Sequence, residues 1–132
     1  MHFFLLAICL HFTSTTSAKE NDVHFVHLTN KEGLSHNRVR CAYQDSENFF
    51  WIGTLDGLNR YDGNNFQTFF NQPGDSTSLC GNSISGIQEA RNGDLLISTS
   101  TGLVTYNRNT SKFKKVFTPP NPQKDPNSAG IQ

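Results

Sequence analysis

Residues 51–63 read Trp51-Ile52-Gly53-Thr54-Leu55-Asp56-Gly57-Leu58-Asn59-Arg60-Tyr61-Asp62-Gly63, and 45 positions later the chain returns to the same plan. The second copy reads Leu96-Ile97-Ser98-Thr99-Ser100-Thr101-Gly102-Leu103-Val104-Thr105-Tyr106-Asn107. Ile52, Thr54, Gly57, Leu58 and Tyr61 recur as Ile97, Thr99, Gly102, Leu103 and Tyr106. Working upstream in the same register, Leu34 meets Leu79, Asn37 meets Asn82 and Val39 meets Ile84; Cys41 falls on Gly86 and Ser35 on Cys80. Downstream the register slips by two, so that Phe66 meets Phe113 and Phe69 meets Val116. Self-similarity at a period of 20–50 residues is the sequence signature of a repeat architecture.

Each copy reads as four short strands. Arg38 to Gln44 alternates, with Val39, Cys41 and Tyr43 on one side, the period of two of a half-buried strand. The polar cluster Asp45-Ser46-Glu47-Asn48 turns the chain into Phe49 to Thr54, a continuous apolar run that fits a strand buried on both faces. Asp56-Gly57 and Asp62-Gly63 are tight-turn dipeptides that bracket a third strand, Leu58 to Tyr61, and Phe66 to Phe70 is the fourth. The second copy marks its turns with Asn92-Gly93 and Thr101-Gly102. No stretch holds a helical period.

Four antiparallel strands per repeat of this length predict an all-β chain, a partial β-propeller of two blades. Such a meander is apolar on both faces, here through Trp51, Ile52, Leu58 and Tyr61, and buries both only by stacking between neighbours. The structural positions of the repeat are Trp51, Ile52, Gly53, Gly57, Leu58 and Tyr61, with Ile97, Gly102, Leu103 and Tyr106 in the second copy. Val23 to Leu28 has the look of an orphan fourth strand that closes a ring, and Asp125 to Ser128 resembles the lead-in Asp75 to Ser78. The expected division is 1–18 leader, 19–33 orphan strand and lead-in, 34–74 first blade, 75–118 second blade, and 119–132 linker and start of a third. Rings need at least four blades. The expectation is therefore either a fragment of a longer protein or copies assembling around an axis, the first being favoured.

Charge patterning sets the compartment. Lys+Arg and Asp+Glu balance at 11 each, which argues against a nucleic-acid binder. All of these charges follow Ala18. Phe3 to Phe12 is an apolar run of ten interrupted only by His11, half of what a membrane-crossing helix needs. It reads as a secretory leader with cleavage between Ala18 and Lys19, although its n-region holds His2 and neither Lys nor Arg. Export places the chain in an oxidising compartment. Cys9 leaves with the leader; Cys41 and Cys80 either pair in that oxidising setting or stand as two separate small buried residues, the reading that the repeat favours.

The motif from Glu32 to Gly63, with Gly33-Leu34-Ser35-His36-Asn37, Gln44-Asp45 and Trp51 to Gly63, resembles the two-component regulator propeller repeat. Phe25-Val26-His27-Leu28-Thr29 followed by Gly33-Leu34-Ser35 is similar to the mature N-terminus of hybrid two-component sensors, and the resemblance covers residues 23–118. It implies a periplasmic propeller region joined to a β-sandwich, a membrane helix and a cytoplasmic histidine kinase, in a membrane-anchored homodimer. Many such receptors sense oligosaccharides and switch on polysaccharide-utilisation genes. The second copy departs from the pattern, with Leu96 for the usual Trp and Ser98 for Gly.

Chemistry-bearing residues are few. His24 and His27 stand three apart, which on a strand sends them to opposite faces, so no metal is expected there. Asp56, Asp62, Asp75 and Asp94 sit at turns, where carboxylates bond their own backbone. Trp51 lies inside an apolar run and reads as core before it reads as a sugar platform. No nucleophile motif, kinase box or cofactor signature is present, so no catalytic residue, metal or cofactor is expected, and no ligand-binding residue is assigned. The leading function is a non-catalytic sensor region of a two-component receptor. A secreted protein-binding propeller without a kinase, and part of a propeller polysaccharide lyase, are the alternatives.

Overall fold

The computed structural model describes residues 25–119. They form two four-stranded antiparallel meanders and no helix. The first is β1 (Val39–Gln44), β2 (Phe50–Thr54), β3 (Leu58–Tyr61) and β4 (Phe66–Phe69); the second is β5 (Ile84–Glu89), β6 (Leu95–Thr99), β7 (Gly102–Asn107) and β8 (Lys112–Phe117). Both sheets run in chain order. These are two propeller blades, and they fall where the alternation and turn dipeptides place them. Gly57, Gly63 and Gly93 all take positive φ at those turns, and Asn48, at the position equivalent to Gly93, takes a φ of 67°.

The register assigns each side chain a face. In the first blade, Cys41 pairs with Gly53, Tyr43 with Trp51, and Gly53 with Leu58, so these look toward the second blade. Ile52, Asn59 and Tyr61 look the other way, through the pairs Ala42–Ile52, Ile52–Asn59 and Tyr61–Phe66. In the second blade the face turned to the first carries Ile87, Ile97, Val104, Tyr106 and Phe113. The core is this seam: Trp51, Leu58, Leu79, Ile84, Leu95, Ile97, Val104, Tyr106 and Phe113 are all buried in one cluster. The blades approach most closely along β1, β2 and β5, where Gly53 lies, and rings fill the space farther out. Trp51 stacks on Phe69 at 5.8 Å and meets Tyr106 at 5.1 Å, while Phe113 stands 5.4 Å from Phe69 and 4.9 Å from Tyr106. Small residues inside and large ones outside make a wedge, the shape that lets flat units fan around an axis.

One expectation needs correction. Val39 does not share the inward side with Cys41 and Tyr43: a bulge shifts the register between Val39 and Cys41, and Val39 is 49% exposed. A bulge adds one residue to the strand and so breaks the alternation. Residues 25–29, the described part of the expected closing segment, form no strand and join neither blade, and Phe25 and Val26 are exposed. The leader with Ala18 and Lys19, residues Val23 and His24, and the start of a third unit lie outside the described residues.

Candidate functional site

Trp51, Leu58, Ile97 and Tyr106 are buried in the seam, whereas Ile52, Tyr61 and Leu103 are half-buried on the outward faces. Thr54 Oγ1 donates to the carbonyl of Gly57 at 2.9 Å, and Thr99 Oγ1 donates to that of Gly102 at 2.9 Å, so the second hairpin turn of each blade is tied identically. Gly57 is held at φ 115°, and a Cβ there would stand 2.8 Å from Phe70 Cε1 and 2.9 Å from Ser35 Oγ.

The departures of the second copy come in contacting pairs. Trp51 Nε1 donates to Asp45 Oδ2 at 2.7 Å; in the second blade Leu96 and Ala90 occupy these two positions, so donor and acceptor leave together. Asn59 accepts from Ser35 N at 2.8 Å and donates to Ser35 Oγ at 2.9 Å; Val104 and Cys80 replace them. Cys80 keeps the other half of the serine's role, because its Sγ lies 3.1 Å from Thr99 Oγ1 as Ser35 Oγ lies 3.0 Å from Thr54 Oγ1. Cys41, across from Gly53, stands where the second blade has Gly86 across from Ser98. Cys41 and Cys80 are both free thiols, and burial pushes the Cys41 thiol up from its ordinary pKa.

The turn carboxylates bond locally, with one exception. Asp62 Oδ1 accepts from the N–H groups of Asn64 and Asn65, Asp75 Oδ1 from Thr77, and Asp94 from the side chains of Asn92 and Asn107. The backbone bonds hold the Asp62 carboxyl below the usual range, and the Thr77 hydroxyl does so for Asp75. At Asp56 the roles invert: its N–H donates to Thr54 Oγ1. His36 Nδ1 accepts from Arg38 N at 2.9 Å, and His27 is exposed; among the described residues no three His, Cys, Asp or Glu converge on a metal position.

Arg108 is the residue that sequence reasoning missed. Its guanidinium reaches Glu89 at 2.8 Å, Glu47 at 3.2 Å and Asp45 at 3.4 Å, tying the two blades at one end of the seam. Glu89 completes the joint by accepting Ser46 N at 2.9 Å and Ser46 Oγ at 2.6 Å. Those bonds, and Arg108 after them, hold the Glu89 carboxyl below the usual range. Arg108 sits at the two-residue slip of the repeat and so has no counterpart; an insertion carrying one lone cation was the available signal. A hollow of about 170 Å³ lies beside it, lined by Ser46, Glu47, Asn92, Asp94 and Asn109. On the outer side two clefts of about 330 and 360 Å³ share Gln72 and Asp75 and are flanked by Lys115 and Lys112. These hollows offer amides, hydroxyls, ammonium groups and the carboxylates of Glu47, Asp75 and Asp94, chemistry suited to holding a polar molecule.

Blades of this design define a class, and comparison with known proteins makes it specific. The family description "Two component regulator propeller" matches residues 33–56, and the chain carries that repeat. A curated relative, histidine kinase P4 of Formosa agariphila, is 40% identical over 62 residues, which is 47% of this chain and 4% of the relative. The crystal structure of the extracellular domain of the hybrid two component system BT3049 from B. thetaiotaomicron superposes with a TM-score of 0.64 at 31% identity. That match covers 75% of this chain and 14% of that one. The chain thus spans a small part of the length of each of these relatives.

Proposed function

We propose that this chain is an extracytoplasmic, non-catalytic recognition part of a hybrid two-component receptor, and that the receptor senses an oligosaccharide. The observation that carries the reading is the likeness, in fold and at 31% identity, to the extracellular domain of such a system. In this reading the chain is exported behind a leader ending at Ala18 and works with further blades and with a membrane-anchored, homodimeric kinase. Its contribution is a rigid face. The turns are tied by their own carboxylates and threonines, so loops from several blades meet a ligand without first being ordered, which lowers the entropic cost of binding.

The test is a thermal-shift titration of the protein from its native host against a panel of oligosaccharides and their constituent monosaccharides. The expected result is a concentration-dependent rise in Tm with one oligosaccharide class and none with its monosaccharides. No shift across the panel would count against sugar sensing.

A further inference from the structure

The seam between the blades is a wedge in a slot. Ile84, at the start of β5, is fully buried against the first blade. A Cβ placed on Gly53 would stand 2.6 Å from Ile84 Cγ2, 2.9 Å from Ile84 Cβ and 2.5 Å from Cys41 Sγ. Non-bonded carbons settle at about 3.5–4.0 Å, so only glycine at 53 lets a β-branched residue seat there.

The repeat carries this geometry one step on. The second blade turns an equivalent face outward, built from Leu96, Ser98, Leu103 and Thr105, and among the described residues no third sheet covers it. The slot position on that face is Ser98, whose Cβ and hydroxyl occupy what Gly53 leaves open. Its cross-strand neighbour is bare Gly86 instead of Cys41. The wedge position of the first blade is Val39, β-branched like Ile84 and 49% exposed. Docked as Ile84 docks, Val39 of a second copy would bring its Cβ and γ-methyls onto the Ser98 side chain.

We infer that the outward face of the second blade receives a further blade of the same design whose first strand carries glycine or alanine at the wedge position, and that it rejects a second copy of this chain. Continuity with the existing seam supplies the pose, and the Gly53-to-Ser98 exchange supplies the selectivity. With glycine the contacts to Ile84 Cβ and Cγ2 both vanish; with alanine only the Cβ contact remains, and a small backbone shift relieves it.

Sedimentation velocity of the full chain over a concentration series tests this, with melting curves confirming that each variant folds. The parent is expected to show no head-to-tail growth. V39G, although it deletes apolar surface, is expected to self-associate at least tenfold more tightly than the parent, and S98G, which opens the slot from the other side, to do the same. Adding S98V to V39G should abolish the gain. A parent that associates as tightly as V39G overturns the inference. So does a failure of both single variants to associate, or a gain in V39G that survives S98V.

Discussion

At the scale of single residues, the buried polar atoms separate positions that hold the fold from those that merely tolerate it. Tyr106 is buried in the seam, and its hydroxyl has no hydrogen-bond partner. Its repeat equivalent Tyr61 donates to the carbonyl of Gly63 at 2.7 Å. An unpaired buried hydroxyl costs about 1–3 kcal/mol in desolvation. Tyr106→Phe is therefore expected to melt at or above the parent temperature, by up to about 1 kcal/mol equivalent, whereas Tyr61→Phe gains nothing. A Tm drop of several degrees in Tyr106→Phe, read by circular dichroism, would show that the hydroxyl has a partner. Gly57 is the opposite case. Valine there meets both a positive φ and the ring of Phe70, so Gly57→Val is expected to lose on the order of 2–4 kcal/mol. Urea unfolding that matched the parent would remove Gly57 from the turn.

At the scale of the element, what the sequence left illegible was pairing. The four strands of each blade and their turns were readable, since alternation and Gly dipeptides are local signals: Leu58 to Tyr61 is β3 to the residue. The burial of Trp51 followed from its apolar neighbours. The partner of each departure did not follow, because Asp45, Cys41 and Ser35 lie at three different separations from Trp51, Gly53 and Asn59. Only the fold brings each pair into contact. Leu96 and Ser98 thus look like lapses in the line of sequence and like matched exchanges in space. The same logic predicts a coupling. Trp51→Leu removes a ring and leaves Asp45 with Glu47 N, Phe49 N and the Arg108 guanidinium; Asp45→Ala leaves the indole N–H unpaired. Making both changes reproduces the pair of the second blade, so the double variant should lose less than the sum of the singles, by about 0.5–3 kcal/mol. A double-mutant cycle in urea reads this directly, and strict additivity would mean that the bond is worth nothing.

At the scale of the whole molecule, the question is what makes two meanders one body. Apolar burial supplies cohesion but no direction, and direction comes from the bonds that cross the seam at its two ends. At one end Gly57 N donates to Asn82 O at 2.7 Å; at the other Glu89 receives Ser46 and meets Arg108. The second joint is ionic and therefore titrates. Glu89 is held below its ordinary pKa in the folded chain, so the folded state binds its proton less readily than the unfolded one. Its contribution is fully present above the unfolded value of about 4.3 and is lost as pH falls through the lower folded value. Glu32, Asp62 and Asp75 are depressed as well, so acid weakens the molecule in any case, and the Glu89 share is seen only as a difference. Glu89→Gln keeps an acceptor for Ser46 while removing the charge facing Arg108. The variant is expected to melt below the parent at pH 7, with the gap narrowing as pH falls below the unfolded value of about 4.3 and on through the lower folded one. A series of melts from pH 7 to pH 3 measures it. A gap that stays constant with pH would mean that Glu89 acts by shape alone, and the joint between the blades would then rest on packing without charge.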